Sequence, residues 1–163
     1  LEDPTPGGWL QISSKAVGSE GLAVGVDLKE TTLQLRNVVF VRADVMDQGL
    51  VEILRVHAPF GYDVLLSDLS PNISGAWELD HARQIALSRR ALELAGQLLK
   101  DGGNSVFKVF QGNEFNRFLS EVRSTFLETH VVKPKASRSQ SSELYLVALG
   151  LRKDYRQSTR EHM

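Results

Sequence analysis

The chain has 163 residues, 42% of them hydrophobic, the size of one ordinary domain that can bury roughly two-thirds of its unfolded surface. It has no cysteine, which excludes disulfides and thiolate metal sites, and its four histidines (His57, His81, His130, His162) lack the close spacing of zinc motifs, so no metal is expected. Net charge is −1 and no apolar run approaches the ~20 residues of a membrane span, so we expect a soluble, cytoplasmic protein, a monomer by preference, with any nucleic-acid surface confined to local patches.

Pro6-Gly7-Gly8-Trp9 leads into a helical pattern over Leu10–Val17, and β-branched or apolar runs of strand length follow at Leu22–Asp27 and Val38–Arg42. Leu50–His57 reads as a helix after Asp47, and Asp63–Asp68 as the next strand. Asp80–Lys100 reads as a long helix, N-capped by Asp80 and ended by Gly102-Gly103. After a strand at Ser105–Phe110, the residues Phe115, Phe118, Leu119, Val122 and Phe126 recur at helical spacing, and two strands close the pattern at Thr129–Val132 and Leu144–Leu149. Strand and helix alternate, which predicts an α/β fold with a mostly parallel sheet. We expect one domain over residues 1–151 and a charged, fraying tail over residues 152–163.

In open α/β sheets ligands bind beyond the carboxyl ends of the strands. The glycine pair precedes the first helix, Asp27 and Asp68 end their strands, and Asp44 lies two residues past another. Each of these could merely shape a turn, but their succession favours a ligand crevice. Glycines let a ligand approach the backbone, a strand-end carboxylate accepts from both hydroxyls of a ribose, and a second carboxylate suits an adenine amino group. The G-x-G-x-x-G and G-x-x-x-x-G-K-[ST] phosphate loops are both absent, which disfavours a nicotinamide-dependent oxidoreductase and triphosphate chemistry. An adenosine without phosphates remains, and S-adenosyl-L-methionine fits.

Lys108 raises a separate question. Alternation puts Val106, Lys108 and Phe110 on one face of a largely apolar strand. A lysine there either snorkels to the rim or serves chemistry.

The chain resembles the FtsJ/RrmJ family of ribosomal RNA ribose 2′-O-methyltransferases, in Pro6-Gly7-Gly8-Trp9, in Ser67-Asp68-Leu69-Ser70-Pro71-Asn72 with Ser74-Gly75, and in Lys108-Val109-Phe110-Gln111-Gly112. Further matches are Lys133-Pro134-Lys135-Ala136-Ser137-Arg138 and Ser142-Glu143-Leu144-Tyr145. The opening Asp80-His81-Ala82-Arg83 of the long helix resembles archaeal members in particular. The resemblance implies a Rossmann-like methyltransferase fold of seven strands with the last reversed, and helices on both faces. It also implies a catalytic set to which Asp68, Lys108 and Glu143 correspond, and cofactor-binding positions at Gly7, Gly8, Trp9, Asp27, Asp44 and Asp68. Its substrate would be 23S ribosomal RNA or the large ribosomal subunit. A further lysine belongs, by the same resemblance, on a helix ahead of the glycine loop, so we expect the natural protein to extend upstream of Leu1.

Methyl transfer from a sulfonium needs alignment of the hydroxyl, methyl and sulfur and removal of the hydroxyl proton. Lys108 would accept that proton or orient the hydroxyl, with Asp68 and Glu143 positioning it. Lys133, Lys135 and Arg138 lie among serines in a composition suited to RNA phosphates. A transfer RNA methyltransferase and a non-catalytic RNA-binding protein that keeps the fold are the competing readings.

Overall fold

A computed structural model describes residues 8–134 and 142–153. Gly7, Lys135 and Arg138, named above as site residues, lie outside the described residues, as do Arg156 and Arg160 of the tail. The chain divides into two compact units, one ending at His57 and one beginning at Ala58.

The first unit contains α1 (Gly8–Val17), β1 (Ala23–Asp27), β2 (Val38–Arg42) and α2 (Leu50–His57). β1 and β2 are parallel, from Ala23 opposite Val38 to Asp27 opposite Arg42, so both carboxyl ends lie at one edge of the pair. Gly25 makes close packing against α1 possible, since a Cβ there would sit 2.8 Å from the Leu10 side chain. Asn37 ties the end of α1 to the strand connection: its amide donates to the carbonyls of Ser14 and Gly18, each at 2.8 Å, and its Oδ1 accepts from the Ser14 hydroxyl at 2.7 Å.

The second unit contains β3 (Tyr62–Ser67), α3 (Trp77–Leu98), β4 (Leu99–Phe110), α4 (Phe115–Thr125), β5 (Phe126–Val132) and β6 (Glu143–Leu151). Its sheet has the order β3-β4-β6-β5. β3 and β4 are parallel, while β6 runs antiparallel to both neighbours. The reversed last strand is the arrangement expected above, although the described residues hold six strands and not seven. One face of the sheet packs on α3 and α4 through Ile85, Leu92, Ala95, Phe118 and Val122. Phe107 stands at its centre, edge-on to Phe118 at 6.1 Å and to Phe126 at 6.2 Å.

Several boundaries differ from the sequence reading, and the following have a physical reason. α3 begins at Trp77, so Asp80 is not its N-cap; Ala76 holds that place, and the Asp80 carboxylate reaches back out of the first turn to the preceding loop. Gly102 and Gly103 do not end the helix, because the chain passes from α3 at Leu98 straight into β4 at Leu99. The glycines serve an irregularity in β4, which advances from Leu99 to Asn104 while its partner advances only from Tyr62 to Val64. Gly102 has φ +77°, and a Cβ on Gly103 would meet the Lys100 carbonyl oxygen at 3.0 Å. Phe126, read as the last apolar position of α4, opens β5 instead and is fully buried there. Arg152, assigned to the fraying tail, is held: its N–H donates to Thr125 at 3.0 Å and its Nε to Phe126 at 3.1 Å, both to backbone carbonyls.

No helix among the described residues is long and apolar enough to cross a membrane.

Candidate active site

In the first unit, Gly8 and Trp9 begin α1, both exposed, and a Cβ on Gly8 would meet no described atom within 4 Å. A Cβ there would thus meet open space among the described residues. Asp27 and Asp44 lie at the carboxyl ends of the adjacent parallel strands and are exposed. Oδ1 of Asp27 accepts from the Lys29 N–H and Oδ1 of Asp44 from the Met46 N–H, each at 2.9 Å. These are turn-forming bonds, the bland role weighed for strand-end aspartates, and they also fix the carboxylates in place. Two oriented carboxylates fit the donors of an adenosine, hydroxyls and an amino group.

In the second unit, Lys108 is buried, with 9% of its side chain exposed, and its Nζ lies 3.2 Å from Oδ1 of Asp68. The lysine thus does not snorkel into solvent. It ends in an ion pair whose acid partner, 40% exposed, stands just past the carboxyl end of β3. Tyr145 sits directly across the β4–β6 ladder from Lys108, and its hydroxyl donates to the same Asp68 oxygen at 3.2 Å. Burial, followed by the negative charge of Asp68, its hydrogen bond and Glu143, pushes the Tyr145 phenol up to about 12, which keeps it a donor at neutral pH. Glu143 is two residues from Tyr145 on β6 and opposite Phe110, so alternation places it on the face of Lys108 and Tyr145. The sheet therefore pairs Lys108 with Asp68 and places Glu143 on the same face. The sequence pattern assigns Tyr145 no role; its offset of two from Glu143 in a strand is the signal for one.

A second buried layer fixes the backbone that carries Lys108. The β3–β4 ladder extends to Ser67 opposite Phe107, and past that point Gln84 of α3 stands in for a strand. Its carboxamide donates to the Lys108 carbonyl at 2.7 Å and accepts from the Phe110 N–H at 3.0 Å, the two-point contact of a peptide unit. The Ser88 hydroxyl also donates to the Lys108 carbonyl, at 3.1 Å. One turn earlier, Asp80 accepts from the Ser74 hydroxyl at 2.7 Å and from the Ser74 and Gly75 N–H groups at 2.9 and 3.1 Å, fixing the loop that follows Asp68. Those bonds, the Ser74 hydroxyl foremost, hold the Asp80 carboxyl below its ordinary value. His81 Nε2 accepts from the Glu114 N–H at 3.2 Å, which anchors the turn after β4.

Lys133, of the proposed RNA-contacting set, is exposed immediately after β5. No group of three or more His, Cys, Asp and Glu among the described residues is placed to hold a metal ion.

The family model for FtsJ-like methyltransferases matches residues 4–151. The chain belongs to that family. Among curated relatives, the ribosomal RNA large subunit methyltransferase E of Methanococcus vannielii is 42% identical over 144 residues, 88% of this chain and 56% of the relative. The protein of the same name from Halorubrum lacusprofundi is 44% identical over 148 residues, 90% of this chain and 55% of the relative. That of Cenarchaeum symbiosum is 44% identical over 147 residues, 90% of this chain and 74% of the relative. The chain thus spans little more than half the length of the first two. Among solved structures, a Plasmodium falciparum protein named as a ribosomal RNA methyltransferase is similar with a TM-score of 0.79 at 22% identity, over 90% of this chain and 81% of that one. Human methyltransferase-like protein 13, solved in complex with SAH, has a TM-score of 0.62 at 12% identity, over 95% of this chain and 75% of that one. At these identities the likeness is one of fold: this member of the FtsJ-like family has the Rossmann-like methyltransferase architecture.

Proposed function

We propose that the protein transfers a methyl group from S-adenosylmethionine to a ribose 2′-hydroxyl of large-subunit ribosomal RNA. The observation that carries this reading is the buried Lys108 ammonium, paired with Asp68 at 3.2 Å and faced across the ladder by Tyr145. Membership of the family and the shared name of the relatives support it.

In this proposal Gly7, Gly8, Trp9, Asp27 and Asp44 bind the cofactor, with the two aspartates accepting from its ribose hydroxyls and adenine amino group. The cofactor, when bound, supplies a methyl group already activated by the positive sulfur. Asp68 is assigned to both the catalytic set and the cofactor-binding set. Lys108 orients the acceptor hydroxyl and, in its neutral amine form, takes its proton as the carbon–oxygen bond forms and the carbon–sulfur bond breaks. Glu143 and Tyr145 position this pair. Lys133, Lys135 and Arg138 contact RNA phosphates.

The test is methyl transfer from labelled cofactor by the full-length natural protein, offered ribosomal RNA and transfer RNA separately, with mapping of the modified ribose. Label on a 2′-oxygen of large-subunit RNA is expected. Label on transfer RNA alone would overturn the substrate, and cofactor binding without transfer to either RNA would favour the non-catalytic reading.

A further inference from the structure

Trp77 is the first residue of α3 and is 50% exposed. It is nevertheless stacked against two other rings. The ring stacks on Phe110 at 6.2 Å with 11° between planes, and on His81 at 6.0 Å with 20°. Both supports are fixed in turn: Phe110 is 5% exposed and its N–H donates to Gln84, while His81 is 5% exposed and bonded to the Glu114 N–H. A solvent-exposed indole normally gains little from such anchoring and is free to rotate. Here two buried rings support it while half of the residue stays exposed.

Its place gives it meaning. Phe110 lies two residues beyond Lys108 on β4, roughly 6.8 Å along the strand. Trp77 also ends the loop that begins at Asp68, and Asp80 staples that loop through Ser74 and Gly75. The indole is therefore connected to each member of the Lys108–Asp68 pair, through Phe110 on β4 and through the loop that Asp80 holds. A nucleotide whose ribose reached that pair would bring its own base, or that of its neighbour, within range of the ring. Unstacked bases in RNA are bound by aromatic faces in this manner, and preorganised aromatics lose little entropy on doing so.

We propose that Trp77 is the stacking platform for a nucleobase at or next to the methylated nucleotide, and so helps select the site of modification. This rests on the proposed RNA methyl transfer. The ligand is single-stranded or locally unpaired RNA, because a base inside a duplex offers no free face.

The test is a coupling experiment on the full-length natural protein. A short single-stranded RNA containing the mapped target is prepared intact and as a series lacking one base at a time, and each is bound to wild type and to the Trp77→Ala, Trp77→Leu and Trp77→Phe variants. For wild type, loss of one base at or beside the target should weaken binding roughly ten- to hundredfold, the range for a single base–aromatic stack. Trp77→Ala and Trp77→Leu should lose the same factor with intact RNA and nothing more when that base is removed, whereas Trp77→Phe should keep most of the affinity. Leucine retains apolar cover over Phe110 and His81, so a merely structural role would leave that variant near wild type. Calorimetric affinity for S-adenosylmethionine should be unchanged in all three. Equal losses at every position, or wild-type RNA affinity in Trp77→Leu, would overturn the platform while wild-type methyl transfer left the enzymatic reading intact. Failure of wild type to bind or methylate any RNA would remove both.

Discussion

Lys108 and Tyr145 face each other across adjacent antiparallel strands and converge on one carboxylate oxygen of Asp68. The convergence makes Asp68 the hinge of the site: whatever holds Asp68 also sets where the ammonium points. Lys108→Met, which keeps length and suits an apolar face, should lower methyl transfer by roughly 10²–10⁴-fold with cofactor affinity intact. Tyr145→Phe should lower it by a smaller factor, about fivefold to fiftyfold, as expected for one hydrogen bond to a charged group that is partly solvated. Single-turnover rates read both, and wild-type turnover in the lysine variant would contradict the proton-accepting role.

Gln84 predicts a stability effect with a catalytic echo. Gln84→Leu fills the same space but leaves the Lys108 carbonyl with only Ser88 and the Phe110 N–H without its partner. The expected loss is about 2–4 kcal/mol, from the cost of buried polar groups left unmade. Gln84→Glu should retain the acceptor for Phe110 and lose the donor to Lys108. Urea denaturation measures the first effect; the KM-against-kcat split measures the second, which should fall mainly on kcat.

Asp80 predicts acid sensitivity. Its folded carboxyl is held below the ordinary value of 3.8 by Ser74 and Gly75, so the folded state binds fewer protons than the unfolded state in that range. The stabilisation is complete above pH 3.8 and is lost as pH falls through the lowered value. Wild type should therefore exceed Asp80→Asn in urea midpoint at neutral pH, and the gap should close only in strong acid. A constant gap down to the lowest pH would show that the effect is steric and not ionic. At the opposite extreme the Tyr145 bond to Asp68 is fully present below the ordinary value of 10.0 and is lost as pH rises through about 12.

Asp27→Ala should weaken S-adenosylmethionine binding by about 1.5–3 kcal/mol, the range for hydrogen bonds to a charged acceptor. The substitution also removes the acceptor for the Lys29 N–H, so Asp27→Asn, which keeps that turn, is the better probe of charge. Calorimetric titration of the folded variants decides; unchanged affinity in both would remove Asp27 from the cofactor site.

Much of this architecture was legible in the residues. Val38–Arg42 and Leu50–His57 match the periodic pattern end to end, because a continuous β-branched run and a short amphipathic turn leave few alternatives. The acidic strand ends and Lys108 also stood out, since a charge on an apolar strand violates local pattern. Gln84 and Ser88 did not. Polar residues on a helix ordinarily face water, and only the third dimension reveals that these two replace a missing strand neighbour. Asp80 misled for a related reason: an aspartate near a helix start usually caps its own helix, but here the chain turns helical three residues sooner and the side chain serves the loop. The glycine pair in β4 likewise carries a stop signal for helices that the irregular pairing with β3 uses differently.

The direct passage from Leu98 to Leu99 also bears on the order in which the unit forms. With no loop between them, α3 and β4 can dock at little entropic cost, and Phe107 meets Phe118 only 11 residues along the chain. The segment from Trp77 to Thr125 therefore holds short-range contacts that are expected to form before β6 joins from further along the chain. Lys108 would acquire its backbone support from Gln84 in that early structure, and Tyr145 only with the last strand. Amides of β4 should accordingly be protected earlier in refolding than those of β6, as pulsed hydrogen exchange would record.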